Sequence, residues 1–340
     1  MTSPFHTLGI ETSCDETAVS LLRGETEVIA NLVYTQAEIH ARYGGVVPEI
    51  ASRDHLRKLP YLVNDALTRA EISLDELSLI ATTYGPGLIG PLLVGLSYGK
   101  GLAFGLDIPF IGVNHLEGHI FSHRLTSPDL SPPFMALIVS GGHTLLVEAR
   151  DYGNYRLVGT TVDDAAGEAL DKVGKMLGIG YPAGAEIDRL AQEGNPTAIR
   201  FPRPMASSPG FDFSFAGLKT AVLYYLRKSP GERKEDVAAS FLASVIDVLV
   251  KKSLEATRRY HLDRLIVVGG VAANSHLQKR FVIDGQKRGI DVLFPKPVYC
   301  TDNAAMIAGA GAFRYLQTGE THPFSLPPAP SLSLHQESER

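Results

Sequence analysis

Apolar and polar positions follow one another in the same order at two places in the chain, and both places predict a β-hairpin. Near the start, Leu8 and Ile10 lead into the polar segment 12–16, and apolar positions resume at Val19 and Leu21. Further along, an apolar run at 135–139 leads into a polar turn at 140–143 and a second apolar run at 145–147. Two short apolar runs around a Gly- or Ser/Thr-rich turn are typical of a hairpin. One such hairpin in each half of the chain indicates a duplicated architecture.

Two further patterns predict an α/β fold. Residues 265–268 form an apolar strand that is followed by Gly269, Gly270 and the start of a helix, an arrangement that places nucleotides at a strand end and a helix N-terminus. Apolar residues at helical spacing predict an amphipathic helix, with acidic residues at 232–236 suiting its N-terminal end. The apolar positions of this helix are Val237, Phe241, Val245, Val248 and Leu249.

Length and composition favour an intracellular globular protein of two domains. The chain has 340 residues, of which 44% are hydrophobic and 20% charged. Two cysteines cannot build a disulfide framework, and no secretory signal pattern opens the sequence, so a cytoplasmic location is expected. A net charge of −5 argues against nucleic-acid binding through a positive charge spread over the whole protein.

Two segments have unusual composition. Residues 85–106 are the most apolar part of the chain, but they contain several glycines, two prolines and Lys100. They predict a small-residue helix packed on a sheet, and no membrane span. The Pro- and Ser-rich end, residues 321–340, predicts a flexible tail.

The sequence HLEGH, residues 115–119, places two histidines four positions apart. On a helix such positions differ by only ~40°, so His115 and His119 project from one face and can converge on one metal ion. A zinc peptidase instead needs a glutamate directly after the first histidine, whereas Glu117 lies roughly 200° round the helix. The spacing therefore permits a metal site and argues against a peptidase. A helix with two solvated or capping histidines is the alternative.

Several motifs in order resemble one family closely. They are GIETSCDETAVSL, PGLIGPLLVGLSYGKGLA, NHLEGHI, ALIVSGGHT, DDAAGEALDKVGKMLG, FDFSFAGLKTAV, VGGVAANSHL and YCTDNAAMIAGAG. From about Gly9 to about Gly311, the chain resembles the tRNA threonylcarbamoyladenosine transferases, a family formerly labelled O-sialoglycoprotein endopeptidase. The resemblance implies a duplicated actin/sugar-kinase/Hsp70-ATPase-like α/β fold, with two subdomains facing a nucleotide cleft. The expected subdomains are 1–130, completed by a returning helix at about 302–320, and 131–301.

The resemblance also implies the activity and a metal site. The family transfers a threonylcarbamoyl group from threonylcarbamoyl-AMP to N6 of adenosine 37 in tRNAs that read ANN codons, and releases AMP. Carried over by position, the metal ligands are His115, His119 and Asp302, which suit one divalent ion per subunit, Fe²⁺ or Zn²⁺.

Substrate contacts carried over from the family lie in the second half of the chain. They are Ile138, Val139, Ser140, Gly141 and Gly142, which are expected to form the second hairpin turn, together with Asp171, Gly184, Asp188 and Asn274. The alternative role of the two aspartates is ordinary charge on a helix surface. One departure from the family is Ala183 in YPAGAEID, where glycine is common; alanine is nearly as small.

Chemistry and partners complete the expectation. Acyl transfer to an amine needs a proton acceptor, for which Asp15 and Glu16 in the first turn are candidates, with capping of that turn as their alternative role. The bacterial family implies a degenerate paralogue subunit and a small ATPase subunit as partners, and the isolated chain is expected to form a homodimer. The competing functions are a metallopeptidase, an ATP-dependent sugar-kinase-like phosphotransferase and a binding module without catalysis.

Overall fold

The computed structural model describes residues 4–334, which form two compact units. The first unit contains residues 4–130 and 302–334, and the second contains residues 131–301. The first unit is therefore built from both ends of the chain, whereas the second is continuous.

The first unit opens with the predicted hairpin and continues with helices between parallel strands. Its elements up to residue 130 are β1 (His6–Glu11), β2 (Glu16–Arg23), β3 (Glu27–Thr35), α1 (Ala37–Ala41), α2 (Pro48–Ala70), β4 (Leu79–Gly85), α3 (Ile89–Leu106), β5 (Phe110–Asn114) and α4 (His115–Phe121).

The second unit opens with the second predicted hairpin, and the chain then returns to the first unit as one long helix. The elements are β6 (Phe134–Val139), β7 (Thr144–Asp151), β8 (Asn154–Thr160), α5 (Ala166–Met176), α6 (Gly184–Glu193), α7 (Ala216–Lys228), α8 (Lys234–Arg259), β9 (Arg264–Val268), α9 (Ser275–Gln286), β10 (Asp291–Leu293) and, in the first unit, α10 (Ala304–Thr318).

Both units contain a sheet of the same topology. The strand order is β3-β2-β1-β4-β5 in the first and β8-β7-β6-β9-β10 in the second. In each, the first three strands are antiparallel and the last two are parallel to the first strand of the hairpin. The predicted duplication of an α/β architecture is confirmed.

Close packing of α10 on the hairpin forms one side of the first unit. Gly9 in β1 lies so near α10 that a side-chain carbon there would fall 2.4 Å from the carbonyl oxygen of Ala304. Only glycine permits this approach of strand and helix. Because Asp302 lies two residues before α10, this contact also fixes the start of the segment that carries a predicted metal ligand.

The apolar segment 85–106 forms α3, as its small residues predicted. Gly95 packs against Thr12 and Gly99 against Thr82, with space for no side chain at either glycine. By length and composition alone α3 would be long enough to cross a membrane, although a third of it is buried inside the protein. These two glycine contacts instead seat α3 against its own sheet.

The prediction of a flexible tail is wrong for residues 321–334, which pack on the first unit; residues 335–340 lie outside the described part of the chain. The backbone N–H of Ala329 donates to the carbonyl of Tyr84 (2.7 Å), and that of His322 donates to Phe110 (2.8 Å). The ammonium of Lys100 donates to the carbonyl of Leu326. Proline and serine content indicated disorder, but these residues satisfy backbone groups at the edge of the sheet. We call residues 321–334 the C-terminal strap.

In the second unit, α8 confirms the predicted amphipathic helix. Its predicted apolar positions are all buried, and Glu235 and Asp236 lie in its first turn. The predicted glycine turn after β9 is also present. Gly269 has a φ of +96°, and a side chain there would fall 2.5 Å from the carbonyl oxygen of Val139. Glycine therefore lets the end of β9 lie against the second hairpin.

Candidate metal centre and nucleotide-binding residues

The two histidines of HLEGH lie on one face of α4. This helix starts directly after β5, and the side-chain oxygen of Asn114 caps it by accepting the N–H of Leu116 (2.9 Å). The imidazole rings of His115 and His119 lie 4.7 Å apart between centroids and meet edge to face. The predicted convergence of the two rings is therefore present.

Asp302 joins the two histidines from the far end of the chain. Its Oδ1 lies 3.1 Å from Nε2 of His119 and 3.6 Å from Nε2 of His115. Ligand atoms about 2.0–2.2 Å from a tetrahedral ion lie roughly 3.2–3.6 Å from one another. Both distances from Asp302 are close to this spacing, and the ligand atoms of all three residues lie within 4.8 Å of one another. Two imidazoles and one carboxylate leave positions open for a substrate.

His119 supplies a second indication of a cation. Its side chain is buried, and neither ring nitrogen has a hydrogen-bond partner among residues 4–334; the approach of Nε2 to Asp302 is close enough for an ion pair but lacks hydrogen-bond geometry. A buried imidazole without partners carries a desolvation cost. Coordination through Nε2 would offset that cost.

Glu11 holds His115 from the side away from Asp302. Its Oε2 lies 2.9 Å from Nδ1 of His115 and accepts the hydroxyl of Thr83 (2.5 Å), while its Oε1 accepts the N–H of Ser13 (2.5 Å). With Nδ1–H directed at the carboxylate, the lone pair of Nε2 points away from it and can bind a cation. A carboxylate behind a ligating histidine is a recurrent feature of metal sites.

The electrostatics of this pair agree with its geometry. Burial lowers the pKa of His115, but the carboxylates of Glu11 and Asp302 raise it to about 9. Burial raises the pKa of Glu11, yet the charge and hydrogen bond of His115 outweigh burial, so the net pKa of Glu11 is lowered. Without a cation, His115 holds a proton, and metal binding has to release it.

Glu117 has a structural role. Its Oε2 lies 3.2 Å from Nη1 of Arg314, which also pairs with Glu320. A general base of a metallopeptidase would have to face a metal-bound water. The ion pair with Arg314 agrees with the helical spacing, which had already argued against that function.

The first hairpin turn places two carboxyl groups between β1 and β2. Asp15 is buried, and Glu16, the first residue of β2, forms a side-chain hydrogen bond with it. Burial and the neighbouring charges of Asp302 and Asp15 raise the pKa of Glu16 well above its ordinary value. Without a cation, Glu16 therefore favours its protonated form.

In the second unit, the turn comprises residues 140–143, as the hairpin pattern predicted. Ile138 and Val139 are the last residues of β6 and are fully buried in the sheet, so placing them in the turn on the basis of the family resemblance was wrong. The N–H of Ser140 closes the turn by donating to His143 (2.8 Å). Gly141 and Gly142 are exposed, and open space adjoins both α-carbons. These two glycines therefore leave room for a ligand beside the turn.

Asp171 and Gly184 belong to one arrangement around the end of α5 and the start of α6. Oδ1 of Asp171 accepts the N–H of Ala183 (2.8 Å), and open space adjoins Gly184, the first residue of α6. The methyl group of Ala183 is buried against Gly174, where a second methyl would clash. The departure from the family at Ala183 is therefore accommodated in the core.

Asp188 and Asn274 meet at the N-terminus of α9. Asn274 caps this helix, with Oδ1 accepting the N–H of Leu277 (2.9 Å). The two oxygens of Asp188 accept the N–H of Ser275 (3.1 Å) and contact Nδ1 of His276 (2.7 Å). Asp188 is therefore not the free surface charge that was its alternative role. The side-chain NH2 group of Asn274 can donate to a ligand, and the remaining lone pairs of Asp188 can accept from one.

Comparison with known proteins identifies the family. Residues 27–309 match the family model of tRNA N6-adenosine threonylcarbamoyltransferase. The enzyme of that name from Clostridium perfringens strain SM101 is 49% identical over 331 residues, covering 96% of this chain and 97% of the relative. The one from Thermosipho africanus is 48% identical over 329 residues, covering 96% and 99%. The chain belongs to the tRNA N6-adenosine threonylcarbamoyltransferase family.

Solved structures agree on the fold of this threonylcarbamoyltransferase family member. HypF of T. kodakarensis superposes with a TM-score of 0.62 at 14% identity, covering 93% of this chain and 48% of that one. Component A of the (R)-2-hydroxyglutaryl-CoA dehydratase of Acidaminococcus fermentans gives 0.56 at 14% identity, covering 93% and 100%. At this identity the likeness concerns the fold, and it confirms the expected duplicated α/β class.

Glu11 was not identified from the sequence as a residue of the candidate metal centre. The signal was present in GIETS, where a glutamate directly continues a buried apolar strand. A charged residue in that place is rarely buried without a partner. The partner, His115, is distant in sequence, so the pair became visible only in the folded chain.

Proposed function

We propose that this chain transfers the threonylcarbamoyl group of threonylcarbamoyl-AMP to N6 of adenosine 37 in tRNAs that read ANN codons, with release of AMP. Membership of the family over nearly the whole chain supports this reaction. The observation that carries it is the set of His115, His119 and Asp302, in which both histidines are buried and Glu11 lies behind His115. Neither a peptidase nor a sugar kinase fits this set, since Glu117 pairs with Arg314 and Mg²⁺ prefers oxygen ligands.

The proposed cofactor is one divalent ion per subunit, Fe²⁺ or Zn²⁺, held by His115, His119 and Asp302. When bound, such an ion would act as a Lewis acid on the donor or anchor its threonyl carboxylate. Glu11 would keep His115 in the tautomer that offers Nε2.

The chemistry requires one bond to form and one to break. The N6 amine attacks the carbonyl carbon of the donor, an N–C bond forms, and the C–O bond to phosphate breaks with the electron pair leaving on AMP. The amine must lose a proton, for which we propose the carboxyl pair of Asp15 and Glu16. Its raised pKa makes Glu16 a strong proton acceptor once it is ionised.

The nucleotide half of the donor is assigned to the second unit. We propose that Gly141 and Gly142 lie against phosphate, and that Asp171, Asp188, Asn274 and Gly184 contact the nucleoside. Open space at the three glycines and the capped N-terminus of α9 support this assignment.

The test is a metal titration and a transfer assay on Asp302→Ala. Removing one of three protein ligands should weaken binding of Zn²⁺ or Fe²⁺ and suppress threonylcarbamoylation of a purified ANN-reading tRNA, with unfolding temperature little changed. Asp129→Ala, which removes an exposed carboxylate of the same unit, is the matched control. Ordinary tRNA modification by folded Asp302→Ala protein would remove this residue from the site.

The proposal includes the setting of the enzyme. We propose a cytoplasmic protein that works with a degenerate paralogue subunit and a small ATPase subunit, and that forms a homodimer when isolated. The net charge of −5 supports a need for partners, because phosphate contacts usually supply much of the affinity for tRNA.

A further inference from the structure

A buried polar network lies behind the first hairpin turn, and nothing in the proposed reaction accounts for it. It consists of four fully buried side chains from β2, the residue before α1, α1 itself and α2, namely Thr17, Gln36, His40 and His55. Burying polar groups is costly unless each finds a partner, and a core of this kind could be filled by apolar residues at lower cost. The bonds made by the network therefore call for an explanation.

The hydrogen bonds of the network fix one tautomer for each histidine. The N–H of Val47 donates to Nδ1 of His40 (3.2 Å), so Nε2–H of His40 is the donor to Oε1 of Gln36 (3.1 Å). The amide nitrogen of Gln36 lies 3.4 Å from Nδ1 of His55, and the hydroxyl of Thr17 lies 2.8 Å from the same atom. Nδ1 of His55 is therefore an acceptor, and Nε2–H is a donor.

The network ends on two consecutive carbonyl groups of the hairpin turn. Nε2–H of His55 donates to the carbonyl of Cys14 (2.9 Å). The backbone N–H of Gln36 donates to the carbonyl of Asp15 (3.1 Å). The first bond fixes the peptide plane between Cys14 and Asp15. The second fixes the peptide plane between Asp15 and Glu16.

We propose that His55, supported by Gln36 and His40, is a positioning residue that orients the carboxyl groups of Asp15 and Glu16 for proton transfer. The inference rests on the proposed function, in which those carboxyl groups accept the proton of the adenine amine. His55 does not touch the substrate in this scheme; it acts through the backbone of the turn.

The state of the imidazoles agrees with this role. Burial lowers the pKa of His55, so the ring stays neutral at the pH of the cell. In a neutral ring, Nε2–H can donate to the carbonyl of Cys14, while Nδ1 accepts from the side chains of Thr17 and Gln36. A protonated ring would direct an N–H at the hydroxyl of Thr17 and the amide of Gln36, both of which donate to Nδ1.

The first test reads the tautomers and does not depend on activity. Long-range ¹H–¹⁵N correlation spectra should show His40 and His55 as neutral Nε2–H tautomers. His6 is the internal control, since its Nδ1 faces the carbonyl of Glu76 (3.3 Å) and predicts the opposite tautomer. An Nδ1–H tautomer or a protonated ring at His55 would overturn the proposal.

The second test compares His55→Leu with His55→Gln and His6→Leu in the complete enzyme with its partners. His55→Leu removes the donor to Cys14 and should lower kcat for transfer about 10- to 100-fold, with KM and metal affinity within about twofold. His55→Gln keeps an N–H at the end of the side chain and should recover most of the rate. His6→Leu is the matched control, because His6 is buried at the other end of β1, roughly 17 Å from Glu11.

Amide exchange separates failure of this inference from failure of the proposed function. Exchange at Asp15 and Glu16 should accelerate in His55→Leu and stay unchanged in His6→Leu, whether or not the wild-type chain modifies tRNA. Unchanged exchange and unchanged kcat in folded His55→Leu protein, or an equal loss of kcat in His6→Leu, would overturn the positioning role. If His55→Leu does not fold, the tautomers of the wild type and the exchange of His55→Gln decide the question.

Discussion

Glu11 is the residue on which the geometry of the candidate metal centre most depends. Its carboxylate joins Ser13, Thr83 and His115, and so connects the hairpin turn to α4. In Glu11→Gln the amide keeps a similar shape, but it no longer fixes the tautomer of His115. We expect the affinity for Zn²⁺ to fall about 10- to 100-fold, measured by competition with a chromophoric chelator.

The control for Glu11 is a second buried glutamate in the same unit. Glu117→Gln removes the ion pair with Arg314 and should lower stability, yet leave the affinity for Zn²⁺ unchanged. Equal metal affinity in Glu11→Gln and wild-type protein would show that Glu11 does not support the site.

His123 provides a pH-dependent prediction away from the metal ligands. Burial lowers its pKa to about 4, below the ordinary value of 6.5. Between these values the unfolded chain binds more protons, so stability is complete above pH 6.5 and is lost as pH falls towards 4. We expect the loss from this group to be on the order of 3 kcal/mol, measured by urea unfolding of wild type and His123→Leu at several pH values. Parallel loss in both proteins would contradict the assignment.

For single residues, the sequence predicted those positions that depend on local spacing along the chain. Positions 115 and 119 share a helix face because helical geometry is local. Asp302 follows from the family resemblance, since no spacing rule joins it to α4. The local apolar run at 135–139 placed Ile138 and Val139 in a strand, whereas the contact of Glu11 with His115 depends on tertiary packing, which no local pattern specifies.

Among the elements, α4 depends strongly on its cap. It has seven residues, and a helix this short is not stable by itself. Asn114 accepts the N–H of Leu116 and donates its amide to the carbonyl of Ser333 in the C-terminal strap (3.0 Å). Asn114→Ala should lower the free energy of unfolding by about 1 kcal/mol and weaken metal binding, measured by urea unfolding and Zn²⁺ titration.

Asn114→Ser is the matched variant for the cap. Serine is a good cap residue and should recover most of the stability, although its short side chain loses the bond to Ser333. Equal stability of Asn114→Ala and wild type would show that tertiary packing alone holds α4.

The elements also show which patterns sequence reasoning can use. The two hairpins were predicted because each joins two segments that are adjacent in sequence through a recognisable turn. The strand before Gly269 was predicted because a glycine turn directly follows it. No pattern predicted β4, β5 or β10. Their pairing is parallel and joins segments that are distant in sequence, so the decisive contacts have no local signature.

For the whole molecule, the C-terminal strap is expected to contribute to the stability of the first unit. Deleting residues 321–340 removes backbone bonds to Tyr84 and Phe110 and uncovers the edge strand β5. We expect the unfolding temperature of the first unit to fall by roughly 5–10 °C, since ~1 kcal/mol corresponds to about 2–4 °C at this size. Deleting only 335–340 is the control and should have little effect; equal melting of both deletions would contradict a stabilising strap.

The proposed dependence on partners also concerns the whole molecule. The isolated chain should dimerise, bind tRNA weakly and catalyse little multiple turnover until the paralogue and ATPase subunits are added. The measurement is transfer from preformed threonylcarbamoyl-AMP to an ANN-reading tRNA, with and without partners, across a salt series. Full turnover by the chain alone would show that partners are dispensable.

The discontinuity of the first unit has a consequence for biosynthesis. The second unit is one uninterrupted stretch, so it can fold while the ribosome is still working. The N-terminal segment of the first unit lacks Asp302, α10 and the strap until residues 302–334 have been translated. Until then the face of its sheet around Gly9 is uncovered, and exposed apolar surface of this kind favours aggregation of a nascent chain. Because Asp302 is one of the proposed ligands, the proposed metal ion would bind only after this segment has been synthesised.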